Sequence, residues 1–152
     1  MDMTWYEALV LIHVIAAVVG LGPAFIFSII SRFPKTKEQL LWTNDLLSKL
    51  EKPVKIGSIT LFITGLVMGV LNTHLFTAGW YIASIILYIV AQILVIGIAG
   101  KKSKKAAEIL ESFQGNDIPE EVTELNKKSD TALSLASIIA IVMIVLMSVK
   151  PF

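Results

Sequence analysis

The sequence predicts an all-α protein, an integral membrane bundle of four helices, on three observations. Four apolar runs, Trp5–Ile30, Val54–Leu75, Trp80–Ala99 and Thr131–Val149, reach or approach the roughly 20 residues that carry a helix across about 30 Å of hydrocarbon. The only charges inside them, Glu7 and Lys55, fall within the first three residues of a run. Basic residues alternate with the runs: of 13 Lys and Arg, six lie at Arg32, Lys35, Lys37, Lys49, Lys52 and Lys55, and six at Lys101, Lys102, Lys104, Lys105, Lys127 and Lys128. A bilayer interior offers the backbone no hydrogen-bond partner, so unbroken apolar runs of this length form helices. A soluble helical core would instead need a polar face on every helix.

The first run, Trp5–Ile30, is not a cleavable signal peptide: it is too long, no basic residue precedes it, and positive charges follow it. Ala16, Gly20, Ala24 and Ser28 form a small-residue ladder at intervals of four, which lets a neighbouring helix approach closely. His13 shares that face, about 12 Å below Trp5 by helical rise, and is therefore expected to point into the bundle. Pro23, with Gly20 and Gly22 beside it, invites a kink. The first basic loop, 31–53, contains Thr36 and Gln39 at capping-box spacing. Leu40, Leu46, Leu47 and Leu50 then predict a short amphipathic helix over Lys37–Lys52, lying on the inner surface or packed on its neighbours and interrupted at Pro53.

The second run carries Gly65 and Gly69 at GxxxG spacing, a candidate face for close packing inside the monomer or for a homo-oligomer. It ends near Asn72 and His74. The third run contributes Tyr88 and Gln92, the fourth Ser134, Ser137 and Ser148; interhelical hydrogen bonds are expected of Gln92 and the serines. Ala106, Ile109, Leu110 and Phe113 continue the third helix past the membrane toward Gly115, an expected C-cap. Pro119, Glu120 and Glu121 read as the first turn of the last helix. Helices 3 and 4 are thus expected to extend as a cytoplasmic hairpin, and the chain 1–152 reads as one domain.

The positive-inside rule places the basic loops 31–53 and 100–130 in the cytoplasm and both termini outside, with the plasma membrane of a bacterium as the expected location. Trp5, Tyr6, Phe76, Trp80 and Tyr81 mark the outer boundary. Without cysteine there is no disulfide, thiolate metal site or cysteine nucleophile. The basic residues hug helix ends, which fits topology and contact with anionic lipid, not nucleic acid. No deep carboxylate exists for proton-coupled transport or a hydrolytic triad, so no catalytic residues are expected.

An ionisable residue inside a membrane bundle is by default a functional candidate. A neutral imidazole binds transition metals and serves as an axial ligand of b-type heme. The candidate cofactor-binding set is therefore His13, His74, Tyr6 and Gln92, with His13 the metal ligand. By rise, His74 stands roughly 10 Å above His13, so a heme held by both is strained, and His13 with another partner or an open position is equally allowed. Two readings stand: binding of heme or a metal through His13 for redox or transport, and a non-catalytic membrane component, a small homo-oligomeric pore or a partner subunit.

Leu11-Ile12-His13-Val14-Ile15-Ala16-Ala17 followed by Gly20-Leu21-Gly22, with Ile63-Thr64-Gly65-Leu66 and Trp80 through Leu87-Tyr88, resembles a family of bacterial predicted integral membrane proteins of unknown function (DUF2269) over nearly the whole chain. That family looks distantly similar to a copper-resistance membrane family and to a heme-pathway family that oxidises protoporphyrinogen. The resemblance implies a heme, porphyrin or metal link for His13 alone. The intramembrane Lys or Arg on which the oxidase group relies is missing here.

Overall fold

A computed structural model describes residues 4–152, and all regular structure among them is helical. Residues 1–3 of the expected domain lie outside the described residues. Four helices are long and apolar enough to cross a membrane: α1 (Trp5–Ile30), α2 (Lys37–Leu71), α3 (Gly79–Ser112) and α4 (Glu120–Val149).

α1 starts at a capping box that the spacing Thr4–Glu7 encodes. The Thr4 hydroxyl accepts from Glu7 N, and the Glu7 carboxylate accepts from Thr4 N at 2.8 Å, so two orphan donors of the first turn are satisfied. The helix runs through Pro23 without a break. α2 begins at Thr36, whose hydroxyl accepts from Gln39 N, but the Gln39 side chain caps Lys35 N instead of Thr36 N. The expected interruption at Pro53 does not occur: α2 is continuous over 35 residues. Lys49 to Pro53 are all exposed, so water can hydrate the carbonyl that proline leaves without a donor. At its other end α2 stops at Leu71, short of the expected Leu75, because Asn72 leaves helical geometry and Thr73–Thr77 tighten into a 3₁₀ turn.

α3 is α-helical over Gly79–Gln92, π-helical over Ile93–Gly100 and α-helical again over Lys101–Ser112. Its end is not the glycine cap expected at Gly115. Phe113 turns extended, its N–H bonds Ile109 O, and no glycine among the described residues takes a positive φ. α4 begins after Pro119, as its first-turn residues predict, and closes on Lys150 in the left-handed region. The chain then folds over the start of α3: Trp80 N donates to Phe152 O at 3.1 Å, and the Lys150 ammonium stands 5.5 Å from the Trp80 ring centre.

α1 packs against α2 and α4, and α4 packs along α3. The backbones of α2 and the 79–100 part of α3 stay apart, with no pair of Cα atoms within 8 Å, and only side chains bridge them. Large aliphatic side chains such as Val18, Ile86 and Ile141 project outward, the surface that hydrocarbon solvates. At the basic end the bundle has a core of the soluble kind, built from Leu40, Ala106, Leu110, Val122 and Leu125. The first half of α2 therefore packs on the extended α3–α4 hairpin and stands about 24 Å beyond its apolar run by helical rise. Two polar bonds tie α1 to α4 at this boundary: Ser31 Oγ donates to Asp130 Oδ1 at 2.7 Å, and Arg32 Nη2 donates to Ser134 Oγ at 2.8 Å.

Candidate functional site

The small-residue ladder of α1 does what its pattern predicts, and its partner is a glycine on α2. A methyl group added at Gly20 would lie 2.6 Å from Ser58 N and 2.8 Å from Gly57 C; one added at Gly57 would lie 2.7 Å from Gly20 N. The two backbones touch at this crossing. Gly57, Leu61 and Thr64 are all buried and share one face of α2, so the crossing also sets Thr64 opposite α1.

Two turns nearer the Trp5 end, His13 lies over α2. Its Nδ1 is 2.8 Å from Thr64 Oγ1, and its Cε1 would be 3.3 Å from a methyl group at Gly65. Thr64 decides the tautomer. Its hydroxyl lies 2.7 Å from Thr60 O and 3.1 Å from Leu61 O, both acceptors only, so its one proton goes to the helix backbone. The hydroxyl oxygen must then accept from His13, which places the imidazole proton on Nδ1 and a lone pair on Nε2.

His13 lines a cavity of about 80 Å³ walled by all four helices: Ala17 and Leu21 of α1, Leu61, Phe62, Gly65 and Leu66 of α2, Tyr81, Ser84, Ile85 and Tyr88 of α3, and Met143, Ile144 and Met147 of α4. The other polar side chains in this wall are already engaged. Tyr81 donates to Gly65 O at 3.0 Å, Ser84 to Trp80 O at 2.8 Å and Tyr88 to Ser58 O at 2.8 Å. No side-chain nitrogen or oxygen sealed inside the described residues lacks a partner. Nε2 of His13, which has none, therefore borders accessible space. The result is an apolar chamber with the His13 imidazole on its wall, the hydroxyl protons of the other polar side chains being spent on backbone carbonyls.

The four residues of the expected cofactor set are not brought together. His13 lies in the bundle interior as predicted. His74 sits in the exposed 3₁₀ turn, its Nδ1 2.9 Å from Thr77 Oγ1. Tyr6 is exposed on the first turns of α1 and does not reach the cavity wall. Gln92 makes the interhelical bond its position predicts, Nε2 donating to Ser58 Oγ at 2.9 Å, and faces a separate groove. Ser137 and Ser148, by contrast, bond the carbonyls four residues earlier in their own helix and not a neighbour.

A heme held by both histidines, or a closed metal site, is not supported by this donor set. An iron held by two histidines needs both imidazoles at one point, and a cavity of about 80 Å³ is far below the roughly 300–1,000 Å³ of sites for drug-sized ligands. No group of three or more His, Cys, Asp or Glu side chains suited to a metal ion forms among the described residues. Gly65 and Gly69 are covered from inside the chain: a methyl group at Gly65 would meet His13, and one at Gly69 would meet Tyr81 and Phe76.

Sequence reasoning passed over Gly57, Thr64 and Tyr81. The first two were legible as a second small-residue stripe facing that of α1. Tyr81 reads from sequence as a boundary aromatic, yet it is buried and reaches Gly65 O across the bundle.

Four apolar helices with an aliphatic exterior and one imidazole inside define an integral membrane protein. The chain belongs to the family described as predicted integral membrane protein (DUF2269), which matches residues 7–151. That description names no ligand and no reaction. No curated protein and no solved structure matches the chain.

Proposed function

We propose that this protein is a non-catalytic binding component of the bacterial plasma membrane that takes a small uncharged molecule from the lipid phase into the His13 cavity. The observation that carries this reading is the His13–Thr64 bond, which leaves the Nε2 lone pair unpartnered on a histidine that lines a largely apolar chamber. Such a chamber selects a molecule of a few heavy atoms that presents one O–H or N–H donor, since about 80 Å³ admits only a few water-sized groups. An apolar pocket with few polar anchors is the general form of a small-molecule site. The basic ends of α1–α2 and α3–α4 belong in the cytoplasm under the positive-inside rule, which puts His13 in the outer half of the membrane.

The heme or metal reading uses the same lone pair and is separable by experiment. Protein labelled with ¹⁵N-histidine and reconstituted in lipid is titrated with ethanol as probe, then with hemin, beside His13→Ala. The expected outcome is an ethanol-dependent shift of the His13 Nε2 resonance and no Soret band attributable to His13. A Soret band that disappears in His13→Ala would restore the heme reading. An Nε2 resonance unmoved by ethanol would remove the small-molecule one.

A further inference from the structure

We propose that the open groove between α2 and α3 binds an anionic phospholipid, its acyl chain lying in the groove and its phosphate meeting lysines at the basic end. The two backbones are spaced apart along the membrane, with no Cα pair within 8 Å between α2 and residues 79–100. The space beside α3 measures about 450 Å³ and is lined by Tyr88, Ile89, Gln92, Ile93, Ile96 and Gly97 of that helix, with Phe62 on the α2 side. Gly97 leaves a notch in the α3 wall: the nearest atom to a methyl group there is Ile93 Cγ2 at 3.7 Å. That wall is the π-helical stretch Ile93–Gly100, a geometry frequent at functional sites.

The polar groups of the groove are turned onto one another. Tyr88 donates to Ser58 O, and Gln92 donates to Ser58 Oγ, so both bridge the helices. Phe62 stacks on Tyr88 with ring centres 5.1 Å apart and closes the groove toward the His13 cavity, which the same two rings also line. What remains for an occupant is a trough of aliphatic side chains, with Ile93 and Ile96 strongly exposed. A hydrocarbon chain fits that lining. A docking helix does not, because helices in membranes approach along rows of small residues, and here Gly97 stands among isoleucines.

Charge selects the lipid class. The row Ile89, Ile93, Gly97 continues at intervals of four to Lys101, and on α2 the row from Phe62 through Ile59 leads to Lys55 and Lys52. Both walls therefore end in lysines at the same end of the bundle. Lys52 and Lys101 take no part in the ion pairs among the described residues, whereas Lys55 pairs with Glu51 at 2.7 Å. A phosphate at the mouth of the groove supplies the missing counter-charge, as anionic headgroups do for basic residues beside membrane helices.

The test reconstitutes the full chain in nanodiscs of equal parts phosphatidylcholine and phosphatidylglycerol, then reads retained lipid by native mass spectrometry after transfer to detergent. The wild type is expected to retain phosphatidylglycerol in preference to phosphatidylcholine. Gly97→Leu, which fills the notch, is expected to lose the retained lipid. Lys52→Gln with Lys101→Gln is expected to keep a lipid but lose the preference. Ile96→Trp, which narrows the mouth, replaces Gly97→Leu if that variant does not keep the wild-type melting temperature. A wild type without retained lipid or without preference, or a filled groove that still retains lipid, would overturn the proposal. So would a second protein chain that co-purifies with the wild type and leaves with Gly97→Leu, which would give the groove to a helix.

Discussion

Gly20 of α1 and Gly57 of α2 meet backbone to backbone, with a methyl group at either one landing under 3 Å from main-chain atoms of the other helix. This contact sets how closely α1 and α2 approach and hence where His13 meets Thr64. Membrane helices have no hydrophobic drive to associate within lipid, so close packing at small residues carries much of their association.

Gly20→Ala and Gly57→Ala are each expected to force the two helices apart, because main-chain atoms cannot step aside as a side-chain tip can. The cost is about 1–3 kcal/mol, read as a lower midpoint of unfolding in detergent. Gly22→Ala serves as control: nothing lies within 4 Å of its added methyl group, so its midpoint should hold or rise. Equal losses at Gly20 and Gly22 would show that the close crossing does not govern the response of this segment.

Thr64→Val keeps the shape of the side chain and removes the hydroxyl that receives the His13 Nδ1 proton. The energetic loss is small, about 0.6 kcal/mol for an average interhelical hydrogen bond in a membrane. The tautomer is the sensitive reading. Nitrogen NMR of the imidazole should show Nδ1 protonated in the wild type and in Thr64→Ser, and a mixed population in Thr64→Val. An identical spectrum in all three would mean that Thr64 does not select the tautomer.

The two glycines of the GxxxG pair should respond unequally. At Gly65 an added methyl group comes 3.3 Å from His13 Cε1, a strain relieved by a shift of a few tenths of an ångström. At Gly69 it meets the Tyr81 hydroxyl and ring, and Tyr81 must release Gly65 O. Gly69→Ala is expected to destabilise by about 1–3 kcal/mol and Gly65→Ala by clearly less. If instead both substitutions leave the monomer stable and change only an oligomer distribution, the pair faces outward.

Leu110 is fully buried in the cluster that α2, α3 and α4 share beyond the apolar runs. Leu110→Ala should cost about 2–5 kcal/mol, as large-to-small changes in a water-facing core do. Hydrogen exchange should rise over Lys37–Lys52 and Glu120–Lys128 while the apolar helices stay protected. Uniform loss of protection along the chain would show that the two parts unfold as one.

The resemblance drawn from the Leu11–Gly22 segment agrees with the family match over residues 7–151. The four spans, the alternation of basic and apolar segments and the inward face of His13 were all legible before any coordinates. Each depends on one residue's affinity for water or on helical periodicity along a single element. Even the Thr4–Glu7 cap was present in the spacing.

Other features depend on which element faces which, and no single-helix pattern carries that information. Pro53 reads as a break, but its surroundings are exposed and α2 continues through it. His74 and His13 were candidates for one iron, but the turn after Leu71 directs His74 to its neighbour Thr77. The sequence by itself determined a membrane bundle of four helices with one interior imidazole, because hydrophobicity and helical period are properties of each segment alone. Only the tertiary structure decided that α1 and α2 touch backbone to backbone at Gly20 and Gly57 while α2 and α3 are bridged by side chains alone. Those outcomes arise from pairwise packing of backbone against backbone, and they define both the cavity at His13 and the groove beside it.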